Sequence, residues 1–258
     1  MARRVLVTGS TTGLGRAAAE AMLADGHQVV VHARSPRRAA DLGPLADASA
    51  GVLTGDLAEL DDIHQLGEQA NRIGRFDAVI HNAGIYVDAA RTPTRDGHAR
   101  VLAVNVLAPY ILTGVIERPG RLIYLSSGMH HDGDPSLHDI DWHERRWNGV
   151  QAYCDSKLYV TALSAAIAAR WPEVRANAVD PGWVPTRMGG PHAPDDLILG
   201  HVTQVWLATS DDPDAATSGG YWHHRHTQPP APAVQDPVFQ QALLDELAQL
   251  TGVSLGEA

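Results

Sequence analysis

The sequence predicts a doubly wound α/β domain, a parallel sheet with helices on both faces. Short β-rich runs alternate with amphipathic stretches as far as residue 180, and several runs are apolar at consecutive positions. A glycine-rich turn joins the first run to the first helical stretch. Consecutive apolar positions suit strands covered on both sides. Repeated strand–helix–strand units close through right-handed crossovers into a parallel sheet.

In chain order, Val5–Val7 reads as the first strand and 14–25 as the first helix. Strands Gln28–His32 and Gly51–Thr54 precede a helix over about 59–74. Strand Ala78–His81 leads to a helix over 98–114, and Leu122–Leu125 to a helix over 151–170. Ala176–Val179 is the sixth strand; a short strand at Gly220-Tyr221-Trp222, the linker Pro229-Pro230-Ala231-Pro232 and a helix over about 236–250 follow. No composition break and no internal repeat divides the chain, so residues 1–258 read as one domain, long enough to bury a sizeable core.

A net charge of −10 without a basic stripe argues against nucleic acid and anionic membrane surfaces as partners. No apolar run approaches the roughly 18 residues a membrane span requires. Met1 to Gly9 has two arginines but no long apolar segment, unlike a secretory signal. The single cysteine, Cys154, excludes an intramolecular disulfide and fits a reducing compartment. The expectation is a cytoplasmic protein.

Two local patterns carry chemistry. Thr8-Gly9-Ser10-Thr11-Thr12-Gly13-Leu14-Gly15 follows the first strand and opens the first helix. Glycines there let the backbone approach a pyrophosphate, and the helix N-terminus offers unpaired N–H groups to the anion. Tyr153 and Lys157 lie four residues apart in a helical stretch, so phenol and ammonium project from nearly one face. A neighbouring cation favours phenolate, which would bring Tyr153 below its free value of about 10.

With these residues in order, the chain resembles the short-chain dehydrogenase/reductase family, whose fold is a Rossmann-type domain. Thr8–Gly15 is similar to that family's TGxxxGxG turn, and His81-Asn82-Ala83-Gly84 to its NAG segment. Asn105, Ser127, Tyr153 and Lys157 match its catalytic set, and Pro181-Gly182-Trp183-Val184-Pro185-Thr186 its segment after the sixth strand. The Gly220-Tyr221-Trp222 strand and Pro-rich tail resemble the retinol-dehydrogenase-like branch.

The resemblance implies an oxidoreductase that moves a hydride between a nicotinamide cofactor and a carbonyl or alcohol. Tyr153 would be the general acid/base, and Lys157 would hold the nicotinamide ribose and depress the Tyr153 pKa. Ser127, rather than Ser126, would stabilise the substrate oxygen, and Asn105 would hold a water for proton resupply. Cofactor contacts would come from Gly9, Ser10, Thr11, Thr12, Gly13, Leu14 and Gly15, from Asn82, Ala83 and Gly84, and from Pro181, Gly182, Val184 and Thr186. Asp56 and Leu57 match the adenine-contacting pair, with Asp56 equally suited to cap the next helix. Ala33 stands where NAD enzymes carry an acid and Arg34 follows, so NADP(H) is expected before NAD(H).

Two departures from the family matter. Gly128 to Ala152 is long and carries His130, His131, His138, His143, Trp142 and Trp147, which marks about 128–150 as a wall of the substrate pocket. Neither these histidines nor His223, His224 and His226 have metal-ligand spacing, so no metal is expected. The helix after Asn105 is short, ending near Pro119-Gly120, which points to a monomer or weak homodimer. A lid over about 182–196 and a tail over about 225–258 complete the reading. Alternatives are a non-catalytic dinucleotide sensor and a sugar-nucleotide epimerase or dehydratase. An intact Tyr-Lys pair argues against the first, and the glycine spacing and short C-terminus argue against the second.

Overall fold

Alternating apolar residues send each strand's side chains to opposite faces of one sheet, and that division builds two cores. Leu6, Val30 and Val79 join one cluster, whereas Val5, Val7, Val29, Val31, Ala78 and Ile80 join the other. The computed structural model describes residues 1–86 and 89–256. In chain order it contains β1 (Arg4–Val7), α1 (Gly13–Ala24), β2 (Gln28–Ala33), the short helices α2 (Pro36–Ala39) and α3 (Pro44–Ala48), and β3 (Gly51–Thr54). Next come α4 (Leu60–Ile73), β4 (Ala78–His81), α5 (Arg100–Leu102), α6 (Ala108–Val115), β5 (Arg121–Leu125) and α7 (Gly149–Arg170). The chain finishes with β6 (Arg175–Asp180), α8 (Leu199–Thr209), β7 (Tyr221–His223), β8 (His226–Gln228) and α9 (Pro237–Thr251).

The sheet order is β3-β2-β1-β4-β5-β6-β7-β8, parallel from β3 to β7. Strand order reverses between β1 and β4, which opens a crevice at the strands' carboxyl ends. Residues of α4, α6, α7 and α9 lie in the Leu6 cluster, and residues of α1 and α8 in the other.

Three features depart from the sequence expectation. β8 is antiparallel to β7, joined by a two-residue turn in which His224 and Arg225 have φ of 47° and 64°. Helix α8 follows the expected lid and packs on α1, with Leu14 and Val184 crowding Gly200. The helix expected over 98–114 is interrupted by a π turn at Ala103–Leu107. Pro109 explains the interruption, because it has no N–H for the Asn105 carbonyl four residues back and its ring presses on that carbonyl.

Candidate active site

The glycine turn leaves β1 at the crevice. A β-carbon at Gly15 would collide with the Asn82 amide and the Gly9 carbonyl, and Gly13 has φ of 60°. Thr12 sits at the N-cap of α1 without a capping side-chain bond, which leaves first-turn N–H groups at Gly13, Leu14 and Gly15 without helical partners. Thr186 faces Gly13 across this opening, its methyl 3.7 Å from where a Gly13 β-carbon would stand. An uncapped helix end behind glycines fits a pyrophosphate. The Asn82 amide donates to the Thr8 carbonyl at 2.9 Å, and the Ala83 N–H donates to Thr8 Oγ1, so both brace the turn. Ser10 is fully buried, its hydroxyl donating to the Val7 carbonyl and its N–H to the His32 carbonyl.

Helix α7 brings Tyr153 and Lys157 to the same crevice. Tyr153 is buried, with Ser127 near it at the end of β5, the Ser127 hydroxyl accepting the Met129 N–H at 3.2 Å. Ser126 points elsewhere, its hydroxyl 2.6 Å from Thr161 Oγ1. Lys157 Nζ donates to the Leu125 carbonyl at 2.7 Å and lies 5.6 Å from the Tyr153 ring centre. Gly84 lies against this ammonium, a β-carbon there standing in ordinary contact 3.5 Å from Nζ. Burial pushes the Lys157 ammonium down to about 8, opposed by the Asp180 carboxylate. The expected depression of the Tyr153 pKa is not what the fold gives: burial pushes the phenol up to about 12, with only the nearby Ser127 hydroxyl working the other way.

Asn105 lies in the π turn, and its side chain is fully used. Oδ1 accepts from the Ile85 N–H at 2.9 Å, while Nδ2 donates to the Ile85 carbonyl and Ser156 Oγ. A water held by Asn105 would therefore use its main-chain carbonyl, which Pro109 deprives of its helical donor.

Beyond β2, Arg34 is largely exposed and stands 3.9 Å from Asp56. A cleft of about 410 Å³ is lined by Arg34, Ser35, Arg37, Arg38 and Asp41. Asp56 accepts the Ala58 N–H, a local turn bond, and the Leu57 side chain is buried in the core, so only the Leu57 backbone is free to meet a ligand.

The long segment after Ser127 is tightly tied. Trp142 is buried and packs edge-on to Trp147, with the Arg145 guanidinium 3.6 Å over its ring, so both tryptophans are packing residues. His130 accepts the Ala231 N–H at Nε2 and therefore donates from Nδ1 to the Ser127 carbonyl at 2.8 Å. Past β6, Gly182 has φ of 82°, Val184 is buried and Trp183 is 60% exposed, with its indole N–H on the Gly189 carbonyl. Pro181 lends its carbonyl to the tight packing at Gly200. Tyr86, which no motif flagged, sets its ring edge-to-face against Tyr153 with centroids 4.7 Å apart. Among the described residues no helix is long and apolar enough to cross a membrane.

A phenol, a hydroxyl and a buried ammonium thus stand beside an uncapped, glycine-lined helix end. A family model described as enoyl-(acyl carrier protein) reductase matches residues 9–208. "Short-chain dehydrogenase chry4" of Gibberella zeae is 39% identical, covering 98% of each chain. A Streptomyces protein provisionally named as the daunorubicin C-13 ketoreductase DnrU is 32% identical, over 99% of this chain and 93% of its own. An uncharacterized protein from Mycobacterium paratuberculosis superposes with a TM-score of 0.84 at 24% identity, covering 98% of this chain and 95% of its own. A blue fluorescent protein from a metagenomic library, in complex with NADPH, superposes with a TM-score of 0.69 at 22% identity, over 86% and 95%. The chain belongs to the short-chain dehydrogenase/reductase family of oxidoreductases.

Proposed function

We propose that this chain reduces a ketone with NADPH, with Tyr153 delivering the proton. The observation that carries the reading is the buried Tyr153 phenol beside Ser127, with the Lys157 ammonium 5.6 Å from its ring centre. A phenol held at about 12 stays protonated at any physiological pH, the form a proton donor needs, and is a poor base for the reverse direction. Ser127 would hold the substrate oxygen as negative charge develops there. Lys157 would hold the nicotinamide ribose, and the Asn105 main-chain carbonyl a water that restores the Tyr153 proton. The bound dinucleotide would supply the hydride. Gly13, Leu14 and Gly15 would hold its pyrophosphate, with Thr11, Thr12 and Thr186 at the edge of the cradle.

The Arg34–Arg38 cleft supports NADPH over NADH. Arg37 has no ion-pair partner among the described residues, and a 2′-phosphate needs such cations. Tyr86 against Tyr153 and the exposed Trp183 support an apolar, ring-bearing ketone, and the Streptomyces relative's name is that of a ketoreductase. In this reading the segment 128–150 walls the substrate pocket, 182–196 closes as a lid, and the setting is cytoplasmic.

The test is NADPH consumption against a panel of aromatic and aliphatic ketones. Tyr153→Phe is expected to lower turnover at least about 100-fold with NADPH binding retained, and Arg34→Ala to raise KM for NADPH but not NADH. A Phe variant of native rate would sink the Tyr153 role. Equal KM for both cofactors, insensitive to Arg34, would sink the NADPH assignment.

A further inference from the structure

We propose that His32 is a positioning residue for the adenosine half of the dinucleotide site, acting through Gly9 and Gly55; the proposal rests on the dinucleotide reading above. His32 lies near the carboxyl end of β2 and is 2% exposed. The Gly9 N–H stands 3.0 Å from its Nδ1. A backbone N–H only donates, so Nδ1 is the unprotonated acceptor and Nε2 carries the proton. Nε2 then donates to the Gly55 carbonyl at 2.9 Å. The backbone of the same residue is bonded twice more: its N–H donates to Ser10 Oγ and its carbonyl accepts the Ser10 N–H.

One residue thus joins three strand ends, each of which carries a part of the cofactor site. Gly9 begins the turn that sets the Gly13–Gly15 cradle, Ala33 and Arg34 follow His32 directly, and Gly55 precedes Asp56. Outside the strand pairings, the β2–β3 end is otherwise bridged by the Gly55 N–H to the Ala33 carbonyl. Burying an imidazole carries a cost that an aliphatic side chain avoids, and the cost is offset here only because both ring nitrogens are bonded. A leucine would fill the space. It would not fix Gly9 relative to Gly55, and a small shift between the two moves the pyrophosphate cradle relative to Arg34 and Asp56. Burial lowers the imidazole pKa against the pull of the Asp56 carboxylate, which favours the neutral state both bonds require.

Three variants separate positioning from plain stability. Asparagine places an acceptor near the position of Nδ1, glutamine reaches the position of Nε2, and leucine supplies neither. NADPH and 2′,5′-ADP affinities are measured by titration, with KM and kcat alongside and the thermal midpoint as the stability readout. His32→Leu is expected to weaken both ligands about tenfold, with the loss falling on KM rather than kcat. His32→Asn is expected to recover much of that affinity by restoring the Gly9 bond. If His32→Leu fails to fold, His32→Asn must still bind 2′,5′-ADP more tightly than His32→Gln. Native 2′,5′-ADP affinity in the leucine and glutamine variants, or losses that track only the thermal midpoint, would overturn the proposal. A wild-type chain that binds neither NADPH nor NADH would instead defeat the dinucleotide reading beneath it.

Discussion

Ser126 and Ser127 are adjacent in sequence, yet the end of β5 sends them to different places. Ser126 bonds Thr161 inside the fold, whereas Ser127 faces the Tyr153 phenol. Side-chain chemistry alone does not distinguish them; only family order favoured the second. Ser126→Ala is expected to cost about 1 kcal/mol of stability and leave turnover near native. Ser127→Ala is expected to lower kcat by about 100-fold with little change in unfolding midpoint. Denaturant unfolding together with steady-state rates checks both, and a reversed pattern would reassign the serines. The Tyr153–Lys157 pair was legible because helical periodicity fixes which residues share a face. Its electrostatics were not, because burial of the phenol and the turn of Nζ toward Leu125 are tertiary facts. His32 left no signal either, since an imidazole within a run of valines looks like any strand residue.

At the scale of elements, the segment between Ser127 and α7 looks from sequence like a loose, histidine-rich wall, but it is pinned at both ends. Asp141 is its hub: it accepts the Ala99 N–H and a bond from His98 at 2.6 Å, and pairs with Arg91 at 3.3 Å. This anchors the segment to the stretch that follows β4. The His98 pKa is raised by its bond to Asp141, so the folded pKa lies above the unfolded value of 6.5. The stabilisation is therefore complete below 6.5 and is lost as pH rises through the raised value. Asp141→Asn leaves Arg91 and His98 without their carboxylate and is expected to cost about 3 kcal/mol. Limited proteolysis should then cut within 128–148 faster, with KM for the ketone rising more than kcat falls. The variant should also lose the pH dependence of stability that His98 confers. Native protease resistance in the variant would remove Asp141 from this role.

For the molecule as a whole, the C-terminal segment covers part of α7. Helix α7 buries fifteen of its twenty-two residues, including most of the side facing away from the sheet. A helix apolar nearly all round requires cover on every side, and the chain's own end supplies it. Leu243 and Leu247 of α9 are fully buried, and Phe239 stands against Tyr159. Beyond α9, the Tyr110 hydroxyl donates to the Val253 carbonyl at 2.7 Å and the Trp171 indole to the Gly256 carbonyl at 2.8 Å. The sequence supplied the helix, through Pro237 behind an Asp236 cap and Gly252 at φ of 68°, but not its docking place. Sequence reading reached a monomer or weak homodimer through the short helix after Asn105, which ends at Val115. The covered α7 gives the stronger reason. We propose that the chain is a monomer: sedimentation at low micromolar concentration should give one species near 27.6 kDa. Removing residues 236–258 takes Phe239 off Tyr159, and should convert that species into dimers or aggregates. A stable tetramer of the intact chain would show that α7 is not the face through which these subunits associate, and would end the monomer proposal.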